Sequence, residues 1–197
     1  MSYSPLKLSG ILLGILLFPF ILSAQVTKKV MIIGIDGCRS DALIQANTPN
    51  LDELIANGVF SPDALNIEVT SSGPGWSAIL TGVWSDKHGV TDNSFAGSNY
   101  QEYPSLFARV ENHNFDLHTV SFCHWNPIND QIIQDEADFR LNLSTDAEVA
   151  AQAVDYLSVN DPDLLFLHFD DVDHAGHSQG FSPDVPAYLA SIEQTDI

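Results

Sequence analysis

The stretch Leu164-Leu165-Phe166-Leu167-His168-Phe169 decides the predicted fold, because a short run of bulky apolar residues is typical of a buried strand. A second run of this kind covers residues 29–35, and a third covers residues 117–122. Helices are predicted between and beside them, over residues 48–58, 75–81 and 145–157. Strands that alternate with helices indicate an α/β fold, with a mostly parallel sheet and helices on both of its faces.

Polar residues follow the first and the last of these strands. Asp36 comes directly after the first strand, which is predicted to be buried on both faces, and Asp173-His174-Ala175-Gly176-His177 follows the last one. Parallel α/β sheets bind ligands beyond the carboxyl ends of their strands, so the two segments are expected to meet at one edge. The carboxylate of Asp173 and the imidazole of His177 suit zinc, and both are predicted metal ligands.

Several details of this edge stay open from the residues alone. Gly176 predicts a loop rather than a helix around the two ligands, and His174 and Asp171 are rival ligands. The alternative for Asp170 and Asp171 is that their carboxylates hydrogen-bond to the metal ligands or face solvent. Asp36 is suited to bind a metal, to cap a helix or to lie beside a phosphate, and its place at the shared edge favours the metal.

A hydroxyl-rich turn, Thr70-Ser71-Ser72-Gly73-Pro74-Gly75-Trp76, leads into the predicted helix at residues 75–81. Ser72 is the candidate nucleophile, since the positive end of a helix and a bound divalent cation would both favour its alkoxide. The alternative is that the hydroxyls of this turn only cap the helix. The loop-like residues 92–104 either cover the site or form an ordinary connection.

The remaining histidines have no evident place in this site. His168 alternates within its strand and is predicted to be a core residue. His88, His113, His118 and His124 have no partner at ligand spacing, so they are interpreted as structural or surface residues.

The charge of the chain limits its partners. The chain has 197 residues, enough for one domain, and seven basic against 26 acidic residues give a formal charge of -19. Nucleic acid and anionic membrane surfaces are disfavoured as partners, because both need clustered Lys and Arg. The sequence leaves the oligomeric state open.

The first 25 residues are predicted to be a secretory signal that is not part of the fold. Lys7 is a minimal basic region, residues 8–22 are nearly all apolar, and Ser23-Ala24-Gln25 offers small residues for cleavage. The alternative is an uncleaved anchor, although the run is shorter than the ~20 residues of a spanning helix. The protein is expected to be periplasmic or extracellular, where Cys38 and Cys123 either pair or stay free.

Six motifs occur in a fixed order along the chain. They are Asp36-Gly37-Cys38-Arg39, Thr48-Pro49-Asn50-Leu51-Asp52, Ser72-x-Pro74, Leu80-Thr81-Gly82, Lys87-His88-Gly89-Val90 and Asp173-x-x-Gly176-His177. This ordered set resembles the alkaline phosphatase superfamily, and most of all its type I phosphodiesterase and nucleotide pyrophosphatase branch. The resemblance runs from about residue 30 to residue 197.

The resemblance implies a hydrolase of phosphodiester or pyrophosphate bonds with two divalent metal ions, usually zinc. Asp36 and Ser72 would hold one ion, and Asp173 and His177 would hold the other. Ser72 would attack phosphorus in line to give a phosphoseryl intermediate, which water would then release. The substrate would be a small phosphoester molecule.

The chain also departs from this branch. The branch usually has threonine as nucleophile followed by Phe-Pro-Asn, where this chain has Ser72-Gly73-Pro74-Gly75. A phosphomonoesterase or a sulfatase of the same superfamily is therefore an alternative, although Gly75 and Trp76 replace the Ser-Arg pair of sulfatases. The family's further ligands, an Asp-His pair and a final histidine, do not follow His177. Residues 26–197 are thus expected to be the N-terminal part of an alkaline phosphatase-like catalytic domain, C-terminally truncated, and a catalytically incomplete fragment is a further alternative.

Overall fold

The computed structural model describes residues 28–66 and 69–197, so the predicted signal at residues 1–25 lies outside the described residues. Four strands form one sheet: β1 (Val30–Ile35), β2 (Thr119–Cys123), β3 (Phe139–Asn142) and β4 (Leu164–Phe169). Their order in the sheet is β1-β4-β2-β3, and each neighbouring pair is parallel. The predicted parallel α/β architecture is confirmed, and β3 is a strand that the sequence did not reveal.

Helices occupy the connections between the strands and the segment after β4. They are α1 (Ser40–Leu43), α2 (Pro49–Asn57), α3 (Ser72–Thr81), α4 (Ser85–His88), α5 (Leu106–His113), α6 (Asp146–Leu157), α7 (Asp171–Gln179) and α8 (Pro186–Thr195). A π-helix at Ile128–Ile133 runs into a short 3-10 turn at Gln134–Glu136. Within the described residues, none of the helices has the length and apolar character needed to cross a membrane.

Alternate residues of β4 build the two faces of the sheet. Leu164 and Phe166 pack on one face against α3, α5 and the π-helix. Leu165 and Leu167 pack on the other face against α6, which begins where the Thr145 hydroxyl accepts a backbone N–H at 3.2 Å. Both faces are therefore covered by helices, as predicted.

A third apolar cluster lies beyond the carboxyl end of β1, where α1, α7 and α8 meet. Ala42 from α1, Val172 from α7 and Tyr188 from α8 are buried in it. The Tyr188 hydroxyl donates to the carbonyl of Gly37 and accepts the backbone N–H of Arg39 at 3.0 Å. Helix α8 thus holds the turn that follows β1.

Strand β1 is not buried on both faces, which corrects the expectation from its apolar sequence. Among the described residues it pairs only with β4, so it is an edge strand. Val30, Met31 and Ile33 are consequently 51%, 50% and 49% exposed. An apolar run identifies a strand, but it does not tell an edge position from a central one.

Asp163 ties the amino ends of three strands together. Its carboxylate accepts from Lys29 Nζ at 2.8 Å and from the backbone N–H of His118 at 2.9 Å. Its carbonyl accepts the backbone N–H of Val30 at 2.9 Å. The hydrogen bond from Lys29, followed by that from His118, lowers the pKa of Asp163 below its usual value.

We expect Asp163→Asn to lower the free energy of unfolding slightly at neutral pH, because the pair with Lys29 is partly exposed. The folded pKa lies below the unfolded one, so the carboxylate stabilises the fold above about pH 4, and the contribution disappears as the pH falls through the folded pKa. Urea unfolding of both proteins from about pH 7 to about pH 3 measures this. A difference that grows toward low pH would contradict the role given to Asp163.

Candidate active site

The carboxyl edge of the sheet opens into a cavity of about 740 Å³. Asp36, Ser72, Asp173 and His177 all line it. They come from the end of β1, the start of α3 and one face of α7. The structure therefore brings the four candidate residues together at one edge, and their chemical roles stay predictions.

Two hydrogen bonds orient the carboxylate of Asp36. Its backbone N–H donates to the carbonyl of Phe169 at 2.9 Å, so the turn after β1 starts in register with β4. One carboxylate oxygen accepts the Gly37 N–H at 2.8 Å, and the other accepts the indole N–H of Trp76 at 2.9 Å. The side chain is held at the cavity wall by these donors.

The surroundings of Asp36 favour its ionised form. Burial raises the pKa of Asp36, but its contacts with His168, Trp76 and Ser72 together outweigh burial and lower the pKa below the usual value. His168 Nε2 lies 3.6 Å from Asp36 Oδ2, which is longer than an ordinary hydrogen bond. An ionised carboxylate is the form that binds a metal ion.

Ser72 is the first residue of α3, so the helix begins three residues earlier than the predicted start at Gly75. Ser72 lines the same cavity as Asp36, and its side chain contributes to lowering the pKa of the Asp36 carboxyl. Ser71 is the N-cap residue, but its hydroxyl makes no capping bond. This argues against a turn whose hydroxyls only cap the helix, and it places the Ser72 hydroxyl at the positive end of α3.

Asp173 and His177 lie on helix α7 and not in a loop, which corrects the interpretation of Gly176. His177 Nε2 is 3.4 Å from Asp173 Oδ2, as expected for residues four apart on one helical face. A Cβ at Gly176 would come within 2.1 Å of the Phe181 ring. The glycine therefore allows close packing inside a helix and does not mark a turn.

A close backbone contact joins the two halves of the site. Gly37 has a φ of +67°, and a Cβ there would lie 2.5 Å from the Cα of Asp173. The turn after β1 thus touches α7 and places Asp36 beside Asp173. Burial and then the charge of Asp36 raise the pKa of Asp173, a repulsion that a bound cation would relieve.

The four candidate residues offer oxygen and nitrogen atoms of the types that bind divalent metal ions. The pair Asp36 and Ser72 offers two oxygen donors, and the pair on α7 offers an oxygen and a nitrogen, which suit zinc. Tight zinc sites usually take three or four protein ligands, so each pair would need at least one more. Asp36, His168 and Asp170 each have a ligand atom within 4.8 Å of those of the other two, but neither His168 nor Asp170 lines the cavity.

Two aromatic residues of this region were not predicted. Trp76 reaches Asp36 because Gly34 leaves room, since a Cβ at position 34 would lie 2.3 Å from the indole. His168 packs edge-on against Trp76 with ring centroids 4.8 Å apart. The helical spacing between Ser72 and Trp76 was the one available signal, and the interpretation of His168 as a buried residue is confirmed although it faces Asp36.

The loop at residues 92–104 reaches the cavity through Asn93, the one residue of this segment that lines it. Asn93 Oδ1 accepts the Ser71 hydroxyl at 2.8 Å and the Gly73 N–H at 2.7 Å. A Cβ at Gly73 would meet the Asp92 carbonyl oxygen at 2.7 Å, which explains a glycine directly after Ser72. Nothing local in the sequence marks Asn93, because its partners lie about twenty residues away.

The rival ligands face another part of the molecule. His174 and Asp171 do not line the cavity, and His174 Nε2 lies 3.2 Å from Asp170 Oδ2 instead. His124 has a partner that the sequence spacing did not reveal, because its Nδ1 is 2.8 Å from Asp146 Oδ1.

The two cysteines do not form a disulfide. Cys38 lies beside the cluster of α1, α7 and α8, whereas Cys123 is in the core on one face of the sheet. Burial raises the pKa of Cys38 to about 11 and that of Cys123 to about 12. Both thiols are therefore protonated at neutral pH and are poor metal ligands.

Solved structures with the same architecture are alkaline phosphatase-like, and this is the fold class of the chain. Murine ectonucleotide pyrophosphatase / phosphodiesterase 5 matches with a TM-score of 0.70 and 21% identity, over 86% of this chain and 50% of that one. Phosphonoacetate hydrolase from Sinorhizobium meliloti 1021 matches with a TM-score of 0.59 and 16% identity, over 86% and 52%.

The family is narrower than this fold class. The family model described as type I phosphodiesterase / nucleotide pyrophosphatase matches residues 30–134, more than half of the chain, and the chain belongs to this family. The bis(5'-adenosyl)-triphosphatase ENPP4 of Bos taurus is 24% identical over 176 residues, which cover 80% of this chain. Ectonucleotide pyrophosphatase/phosphodiesterase family member 5 of Homo sapiens is 24% identical over 189 residues, which cover 86%. The chain spans only 39% of the length of each of these relatives.

Proposed function

We propose that this chain forms part of a metal-dependent hydrolase of phosphodiester or pyrophosphate bonds in small nucleotide-like molecules. One observation carries the proposal: the Ser72 hydroxyl, at a helix start, shares one cavity with Asp36, Asp173 and His177. Two similar proteins support the substrate class. The ENPP4 of Bos taurus is named as a bis(5'-adenosyl)-triphosphatase, and an inactive form of murine ectonucleotide pyrophosphatase / phosphodiesterase 5 was solved in complex with AMP.

The side chains of the cavity divide the work of such a reaction. The Ser72 oxygen gives up its proton to solvent and attacks phosphorus, forming a Ser–O–P bond as the bond to the leaving oxygen breaks. Water later cleaves the Ser–O–P bond and returns a proton to the serine oxygen. In this proposal the Asp36 carboxylate, which lines the same cavity, orients the hydroxyl before the attack. Asn93 is held through its carbonyl oxygen, so its amide N–H groups are the donors that it offers to a phosphoryl oxygen.

Metal ions are part of the proposal, with Asp36 and Ser72 holding one and Asp173 and His177 the other. Bound zinc would favour the serine alkoxide and stabilise negative charge on the attacking and leaving oxygens. Each pair supplies only two protein donors, which favours a second candidate: the chain alone is catalytically incomplete and binds metal weakly.

We also propose that the protein is exported to the periplasm or the extracellular space. The support is the sequence of residues 1–25, with a basic residue, an apolar run and small residues in the order of a signal. The net charge of -19 supports a small-molecule substrate over nucleic acid.

Hydrolysis rates on three chromogenic substrates test the reaction. The protein is expressed from its complete reading frame and assayed on bis(para-nitrophenyl) phosphate, para-nitrophenyl phosphate and para-nitrophenyl sulfate. We expect the diester to be fastest and a chelator to lower its rate about 100-fold or more, with recovery on adding zinc.

The other outcomes decide between the alternatives. A faster monoester or sulfate ester would favour a phosphomonoesterase or a sulfatase, and a rate that survives chelation would overturn metal dependence. Residues 26–197 assayed alone separate the incomplete fragment from an active domain.

A further inference from the structure

A second group of metal-binding side chains lies beside the cavity and not in it. His124 follows β2, Asp170 follows β4, and His174 lies on α7. One ligand atom from each residue lies within 4.8 Å of those of the other two. We propose that His124, Asp170 and His174 bind one divalent metal ion, with zinc as the best match for two imidazoles and a carboxylate.

One pair within the group already has the spacing of bound ligands. Ligands at bond lengths of ~2.0–2.1 Å in a tetrahedral zinc site lie about 3.3 Å apart. His174 Nε2 is 3.2 Å from Asp170 Oδ2, so this pair already has that spacing. The rings of His124 and His174 are nearly perpendicular, with centroids 5.4 Å apart. A tetrahedral zinc ion held by these three residues would take a water molecule as its fourth ligand.

The buried carboxylate of Asp146 holds His124 in place. Asp146 Oδ1 accepts from His124 Nδ1 at 2.8 Å and from the backbone N–H of Asp170 at 2.7 Å. Its other oxygen accepts the backbone N–H of Asp171 at 3.0 Å, and the residue is only 8% exposed. An ionised carboxylate only accepts, so Nδ1 of His124 carries the proton and Nε2 keeps its lone pair for a metal. Carboxylates support metal-binding histidines in this way.

Basic side chains do not neutralise this group. Within residues 28–66 and 69–197, the ion pairs of lysine and arginine go to Asp41, Asp130, Asp135, Asp161 and Asp163. The Asp170 side chain is 6% exposed, and the His174 imidazole lies 3.2 Å from it. A buried carboxylate needs compensating charge, and a bound cation supplies it.

An ion at this site would connect the carboxyl ends of β2 and β4 to α7. Helix α7 also carries Asp173 and His177, so the ion would hold the helix that presents them to the cavity. Asp170 lies within 4.8 Å of Asp36 and His168 as well. The experiment therefore has to separate this site from the cavity.

The number of zinc ions bound per protein distinguishes the proposed site from the cavity site without an activity assay. The protein from the complete reading frame, carrying Asp173→Asn and His177→Ala to disable the pair on α7, is stripped with a chelator, dialysed against zinc and analysed by mass spectrometry. His174→Ala is then added to this background. We expect the bound zinc to fall by about one equivalent. His174 is 61% exposed, so its removal leaves the fold intact by circular dichroism.

Two further variants decide whether the loss is specific. His113→Ala removes an exposed histidine of α5, far from the site in the chain, and should keep the zinc content of the background. Asp146→Asn removes the support of His124 and should weaken zinc affinity by about 10- to 100-fold. An unchanged stoichiometry in His174→Ala, or an equal loss in His113→Ala, overturns the proposed site.

Discussion

Ser72→Ala is expected to lower the rate of phosphodiester hydrolysis by about 1,000-fold or more in the protein from the complete reading frame. The substitution removes the only atom that can form the Ser–O–P bond, whereas the cavity and the Asp36 carboxylate keep their other contacts. Initial rates with saturating chromogenic diester measure the effect. Because Ser72 is a short, half-buried side chain, the fold should tolerate alanine.

Two variants make this result specific. Ser72→Thr keeps a hydroxyl at the same place and should retain most of the activity. Ser158→Ala removes an exposed hydroxyl at the end of α6, on the opposite edge of the sheet, and should leave the rate unchanged. If Ser72→Ala kept the full rate, the covalent mechanism would be wrong, even with metal dependence intact.

Gly37→Ala is expected to impair both stability and activity. At a φ of +67° an alanine is strained by about 1–2 kcal/mol, and its Cβ would lie 2.5 Å from the Cα of Asp173. Relieving that overlap pushes α7 from the turn after β1, at a further cost of about 1–3 kcal/mol. Because the shift separates Asp36 from Asp173, hydrolysis should also fall, by about 100-fold for a displacement near 1 Å.

Gly82→Ala is the matched control. Gly82 has a similar φ of +74°, but a Cβ there would have no heavy atom within 4 Å. It should therefore lose only the strain of the left-handed backbone, about 1–2 kcal/mol, and keep its activity. Urea unfolding and diester hydrolysis are measured for both variants. Equal losses of activity in the two would show that the contact between Gly37 and Asp173 does not position the site.

Local signals predicted the regular elements well. The predicted strand at residues 164–169 is β4, and the helix predicted at residues 145–157 is α6, which starts after the Thr145 cap. Both depend on contacts within a few residues, such as hydrophobic period and capping, so a single sequence contains them. The helix predicted at residues 48–58 is α2, and none of its residues is buried, although it has an apolar face.

Signals that depend on packing were misread. Gly176 suggested a loop, but it lies inside α7, where it packs against the ring of Phe181. The apolar sequence of β1 suggested burial on both faces, but the strand order places it at the edge. A glycine is compatible with a loop or with close packing in a helix, and an apolar run is compatible with a central or an edge strand. Contacts with distant parts of the chain decide between these possibilities.

The sequence by itself determined the alternation of strands and helices, and with it the edge of the sheet at which Asp36, Asp173 and His177 meet. This follows because parallel strands end on the same side, whatever their order in the sheet. Only the tertiary structure decided what surrounds them. The bond from Trp76 to Asp36 spans 40 residues, and that from His124 to Asp146 spans 22. Such pairs form because packed elements bring them together, and no local period or cap records a contact of that range.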